Sequence, residues 1–152
     1  MKRALPVWPG RDERGQAVIE SAFVFGFLVI LVMGMMEMSL FLYNYAVLTD
    51  AAKEGVRYAI VHGSSGTNPS GGGSSCGTVT SGGIFTAVQA FMKASVHDVS
   101  NMSVKVCYQD DNNNPGDRVQ VDVTYPYSPL FLSATYWSTI TISATSVGRI
   151  QF

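Results

Sequence analysis

Charge is scarce in this sequence. Only 14 % of its 152 residues are Asp, Glu, Lys or Arg, and the formal net charge is −1. A nucleic-acid binder needs a basic face, and none can be assembled here. Histidine is nearly absent as well. His62 and His97 stand in unrelated contexts, and neither belongs to an H-E-x-x-H metal pattern. No G-x-S-x-G nucleophile elbow and no G-x-x-x-x-G-K-[ST] phosphate loop occurs. These absences argue against an enzyme. No catalytic residue, metal, cofactor, nucleic acid or small-molecule substrate is expected. Proline is missing from residues 10–68, so nothing in that stretch forces a helix to break.

What fills the proline-free stretch is apolar. Residues 21–36 (SAFVFGFLVILVMGMM) carry no charge, Glu37 interrupts, and residues 38–49 are again uncharged. A membrane helix needs about 20 apolar residues. Residues 17–42 supply that length, provided Glu20 and Glu37 sit near the edges or find partners. One helix is expected over residues 16–62, spanning the membrane over about residues 17–42, with an outer part carrying Asp50, Lys53, Glu54 and Arg57. The run is longer than the apolar core of an ordinary secretory signal, and no A-x-A site ends it.

Charge placement gives an orientation. Residues 1–15 hold Lys2, Arg3, Arg11 and Arg14 against Asp12 and Glu13, whereas the remainder is net acidic. Positive flanks stay cytoplasmic, so the chain after the apolar run is expected outside. Cys76 and Cys107 both fall in that exterior part. An oxidising compartment favours one disulfide between them; two free thiols are the alternative.

The junction reads Arg14-Gly15-Gln16-Ala17-Val18-Ile19-Glu20, a basic leader and G-x-x-x-x-E placed directly before the apolar helix. It resembles the processing site of type IV prepilins. That resemblance implies cleavage after Gly15 by a prepilin peptidase, a mature chain starting at Gln16, and a leader of residues 1–15. Glycine lets a protease close tightly on the backbone. A carboxylate such as Glu20 at the edge of an apolar helix is costly unless paired. The resemblance implies a contact between Glu20 and the N-terminal amine of a neighbouring subunit.

Residues 48–63 read LTDAAKEGVRYAIVHG. The core Ala51-Ala52-Lys53-Glu54-Gly55-Val56-Arg57-Tyr58-Ala59 resembles the "AAREGARYA" signature of TadE-like proteins, minor pseudopilins of the tight-adherence (Tad, Flp pilus) machinery. Lys53 stands for the usual arginine and Val56 for the usual alanine. The resemblance implies a structural pilin-like subunit in the bacterial inner membrane, with incorporation in the pilus as an open alternative. Its implied partners are TadF-like pseudopilins and the Tad basal machinery. An uncleaved single-pass protein with a binding head is the alternative, and a pseudopilin of a general secretion system is a third reading.

Candidate subunit contacts follow from spacing. Ala22 and Gly26 form a small-xxx-small pair. Glu37 is either a partner contact or a hydrated carboxylate at the outer interface. Glu54 and Arg57 are three apart and can pair on one helix face. Gly55 between them admits another backbone, belonging either to a partner subunit or to the protein's own sheet.

Residues 63–83 hold eight glycines and six serines and read as a flexible loop. The exterior head is assigned to residues 84–152. Ile84, Val88, Phe91, Met92 and Val96 recur at helical spacing and predict an amphipathic helix over residues 83–97. Three alternating segments predict strands: residues 102–109 with Val104, Val106 and Tyr108 inward and Cys107 outward; residues 118–127 with Val119, Val121, Val123 and Tyr125 inward; and residues 139–146 with Ile140, Ile142 and Ala144 inward. The expected fold is α+β and pilin-like: a long membrane helix, then a small antiparallel sheet with one packed helix. Asp110, Asn112 and Asn114 have calcium-loop spacing, but Pro115 and Val121 occupy positions where such a loop has glycine and glutamate, so a hairpin turn is expected. Leu130, Phe131, Leu132 and Trp137, between the last two strands, either complete the core or form an exposed patch.

Overall fold

The computed structural model describes residues 13–64, 70, 76–96, 98–130 and 139–151. The leader up to residue 12, most of the Gly/Ser loop, His97, and Phe131, Leu132 and Trp137 lie outside them. Helix α1 spans Glu13–Val61 in 49 residues. Strand β1 (Gly77–Val79), helix α2 (Gly83–Ser95), and strands β2 (Ser103–Tyr108), β3 (Arg118–Tyr127) and β4 (Ile140–Arg149) follow. The α+β architecture expected from the sequence is present.

Two compact units divide at Met36 and Glu37. In the first, α1 exposes its large side chains on every face; Phe23 is 76 % exposed.

The second unit is a head built around the rest of α1. The strands form one antiparallel sheet in the order β1-β2-β3-β4. Alternation along β3 buries Val119, Val121 and Val123, and along β2 it buries Val104 and Val106. These side chains share one core with Ile84, Val88 and Met92 of α2 and with Leu48, Ala51, Ala52, Val56 and Ala59 of α1. The opposite sheet face is polar: Asp122 accepts hydrogen bonds from Gln120 Nε2 and Thr145 Oγ1.

Pro126 lies within β3, where a missing N–H would ordinarily break a ladder. Pairing with β2 ends at Thr124, and residues 125–127 pair with β4 alone. The proline therefore sits where β3 has become an edge.

Three boundaries differ from the sequence reading. Residues 77–79, assigned to the Gly/Ser loop, form β1 and pair with residues 104–106 of β2. Three residues are too few to show an alternating pattern. Strand β4 runs on to Arg149 instead of ending at Ser146. Its last residues cross α1, where a Cβ on Gly148 would meet Val56 Cγ1 at 2.5 Å. Beyond it Ile150 is buried, and Gln151 N–H donates to Ile60 O at 2.9 Å. The α2 helix stops at Ser95, two residues short of His97.

Candidate membrane and subunit interface

Gly15 and Gln16 lie in the first turn of α1, exposed, with nothing within 4 Å of a Cβ placed on Gly15. Glu20 follows one turn later, also exposed, and Ser21 Oγ donates back to Val18 O. Ala22 and Gly26 are exposed too, and a Cβ on Gly26 would meet nothing. The helix from Gly15 onward is long and apolar enough to cross a membrane.

Glu37 differs from the exposed Glu20. It is 8 % exposed. Tyr127 Oη donates to Glu37 Oε1 at 2.5 Å, and Leu130 N–H donates to both carboxylate oxygens at 3.1 Å. One turn along α1, Phe41 meets the Tyr127 ring edge-on at 5.8 Å. Burial and the adjacent carboxylate push the Tyr127 phenol up to about 12. This corrects the reading of Glu37 as a hydrated interfacial carboxylate: the head's own chain satisfies it. The donors come from some 90 residues away in sequence, and no local pattern announces them.

The signature segment resolves into two faces. Ala51, Ala52, Gly55, Val56 and Ala59 are buried, while Lys53 and Arg57 are exposed. A Cβ on Gly55 would lie 2.7 Å from Val88 Cγ2 and 3.1 Å from Val121 Cγ1. Gly55 thus admits the protein's own α2 and β3, and of the two readings the intramolecular one holds. Small residues at these positions let the head's core close down on α1.

The expected Glu54–Arg57 pair does not form. Among the described residues the ion pairs are Lys53–Asp50 and Arg118–Asp110. An exposed pair gains little over hydration, so spacing alone does not hold Arg57 against Glu54.

Cys76 and Cys107 are joined in a disulfide. Extending the β1–β2 register by one residue from Gly77↔Val106 sets the two cysteines opposite each other. Cys107, expected to face outward, is on the face opposite Val106 and yet buried. The polar hairpin between β2 and β3 is closed by Asp110, whose carboxylate accepts from Arg118 Nη2 at 2.8 Å, Arg118 Nε at 3.1 Å and Arg118 N–H at 2.8 Å. Those bonds hold the Asp110 carboxyl down at about 2. Asp111 and Gly116 turn the chain with positive φ. Among the described residues no three His, Cys, Asp or Glu side chains gather to hold a metal. His62 stacks on Tyr58 at 4.0 Å.

Sequence reasoning also passed over Tyr58 and Gly83. A Cβ on Gly83 would collide with the Tyr58 ring, so the start of α2 packs directly on that ring. The Gly82-Gly83 pair, placed in a loop from composition, was the signal for this close approach.

A family model described as TadE-like protein matches residues 15–57. Over those residues the chain is similar to that family. The match begins at the glycine before the apolar run and ends within the buried Ala/Gly face. The matched segment therefore contains both the exposed apolar part of α1 and most of the face on which the head is built. The family is structural and pilus-related. No curated protein and no solved structure matches the chain.

Proposed function

We propose that this TadE-like chain is a minor pseudopilin: a single-pass subunit of the bacterial inner membrane that a prepilin peptidase cuts after Gly15. Its head lies outside the cytoplasm and acts in assembly of Tad/Flp-type adhesive pili, alongside TadF-like pseudopilins and the basal machinery. The observation that carries this reading is a single helix with two uses. Its first part is exposed, apolar and preceded by Gly15 and Glu20; its second part is the buried spine of a disulfide-closed head. A disulfide fits an oxidising compartment, which supports an exterior head. The basic residues before Gly15 support a cytoplasmic N-terminus. In this role Glu20 meets the new N-terminal amine of a neighbouring subunit, and Ala22 and Gly26 let apolar helices approach closely.

The test is the intact mass and N-terminus of the membrane-purified protein, with and without its prepilin peptidase. The expected result is a peptidase-dependent N-terminus at Gln16, abolished by Gly15→Arg. A chain starting at Met1 under both conditions would replace this reading with an uncleaved, membrane-anchored binding module.

A further inference from the structure

The two sides of α1 change character at different heights. On the side facing the head, burial begins at Glu37 and continues through Val47, Leu48 and Ala51. On the opposite side, apolar and aromatic residues continue past that point. Met38 is 57 % exposed and Leu42 is 53 % exposed, with Tyr43 and Tyr45 beside them. Exposed charge on the helix resumes only with Asp50 and Lys53. From Glu37 to Tyr45, about 12 Å of helix rise, one face of the helix belongs to the head while the other remains apolar and open. Leu130, whose N–H holds Glu37, is 65 % exposed at the same end of the head.

We infer that the lipid boundary on the head side of the membrane lies at Tyr43 and Tyr45, not at Glu37, so that the end of the head carrying Leu130 is seated in the outer leaflet. This inference rests on the membrane anchoring proposed above and deepens it. Three observations favour lipid as the occupant. The open face continues the exposed run of residues 21–36, which carries no charged residue. Two tyrosines close it, and tyrosine is the residue type that places an apolar ring in lipid and a hydroxyl at the headgroups. Tyr43 Oη already turns its hydroxyl toward the polar side, donating to Ser95 O at 3.3 Å. Between residues 37 and 45 the one carboxylate is Glu37, and it is buried and receives hydrogen bonds from Tyr127 and Leu130. A carboxylate with its own donors is far cheaper at membrane depth than a bare one.

The experiment uses the full mature chain in phospholipid vesicles, with one nitroxide label at a time on Met38→Cys, Leu42→Cys, Leu130→Cys, Asp50→Cys or Val29→Cys. Intact mass checks that Cys76–Cys107 stays oxidised and that each chain carries one label. Label collision with oxygen, which concentrates in lipid, is compared with collision with a water-soluble nickel chelate. The expected result is an oxygen-to-nickel ratio at positions 38, 42 and 130 that resembles position 29 and is several-fold above position 50. Positions 38 and 42 behaving like position 50, with 29 still protected, would put the boundary at Glu37 and overturn the inference alone. Protection from both reagents with spin–spin broadening would overturn it in favour of a second copy covering this face. Nickel access at position 29 as well would remove the membrane anchoring itself, and the inference with it.

Discussion

The two stretches of α1 on either side of Met36 invert the usual relation between size and burial. Residues 18–36 include many large apolar side chains, among them Phe, Leu, Ile and Met, and these are exposed. Residues 51–59 include Ala51, Ala52, Gly55 and Ala59, which are small and buried. A single helix thus carries its greatest apolar area where its side chains are exposed. It carries its least where the core is tightest. Hydrophobic area on its own does not select the buried face. Within the head, α1 is buried where a small side chain admits Val88 and Val121, and the apolar area is contributed by α2 and the sheet. The large residues of 18–36 require a different apolar environment, which a bilayer provides.

Perturbations confined to one stretch should leave the other intact, and the largest concerns the head's closure. Reducing Cys76–Cys107, a bridge between residues 31 apart, should cost about 3–4 kcal/mol of head stability. Urea unfolding in detergent, followed by tyrosine fluorescence, reads the loss. Helical circular dichroism from the apolar stretch should survive it. Simultaneous loss of all helicity would mean that the two stretches unfold as one.

Next in size is the same substitution made in both. Gly55→Leu must displace Val88 and Val121 and should destabilise the head by about 1–3 kcal/mol. Gly26→Leu meets nothing within 4 Å and should leave the urea midpoint unchanged. Equal effects at both sites would contradict the assignment of Gly55 to a tight crossing with α2 and β3.

Tyr127→Phe removes the hydroxyl that donates to Glu37 while keeping the ring against Phe41. It should cost about 1.5–3 kcal/mol, the range for a hydrogen bond to a charged group. The phenol is pushed up to about 12 in the folded protein, so folding favours its neutral form. The associated stability is complete below pH 10 and is lost as pH rises from about 10 toward 12. An alkaline unfolding series should show that loss in the native chain and not in Tyr127→Phe.

The smallest effect belongs to the hairpin. Asp110 is held at about 2 by Arg118, so folding favours its charged form. Its contribution is present above about pH 4 and fades as pH falls toward 2. Asp110→Asn should flatten the acid limb of the stability profile over that window, and an unchanged limb would show that the pair adds nothing to the fold.

Much of this architecture is written in local pattern. The helix over α1, the inward valines of β2 and β3, and the buried Ile84, Val88 and Met92 of α2 all follow from spacing, because periodicity is a property of neighbouring residues. The G-x-x-x-x-E junction and the Ala/Gly signature were equally legible, and the TadE-like match falls on them. Spacing alone did not decide which role Gly55 plays. It offered both a partner's backbone and the protein's own sheet, and only the positions of Val88 and Val121 distinguished them. The pairing of Glu54 with Arg57 was permitted by helical geometry but not required by it, and water competes successfully for exposed charges.

The sequence by itself therefore determined α1, α2 and the three longer strands, the inward valines of β2 and β3, the long apolar run and the two cysteines available for a bridge. The tertiary structure alone decided where β1 pairs, where β4 crosses α1 at Gly148, and how Glu37 is satisfied by Tyr127 and Leu130. The physical reason is separation along the chain. A helix turn or strand alternation is set by residues a few positions apart. A buried carboxylate is satisfied by whichever donors the folded chain brings within hydrogen-bond reach, and here they come from some 90 residues away.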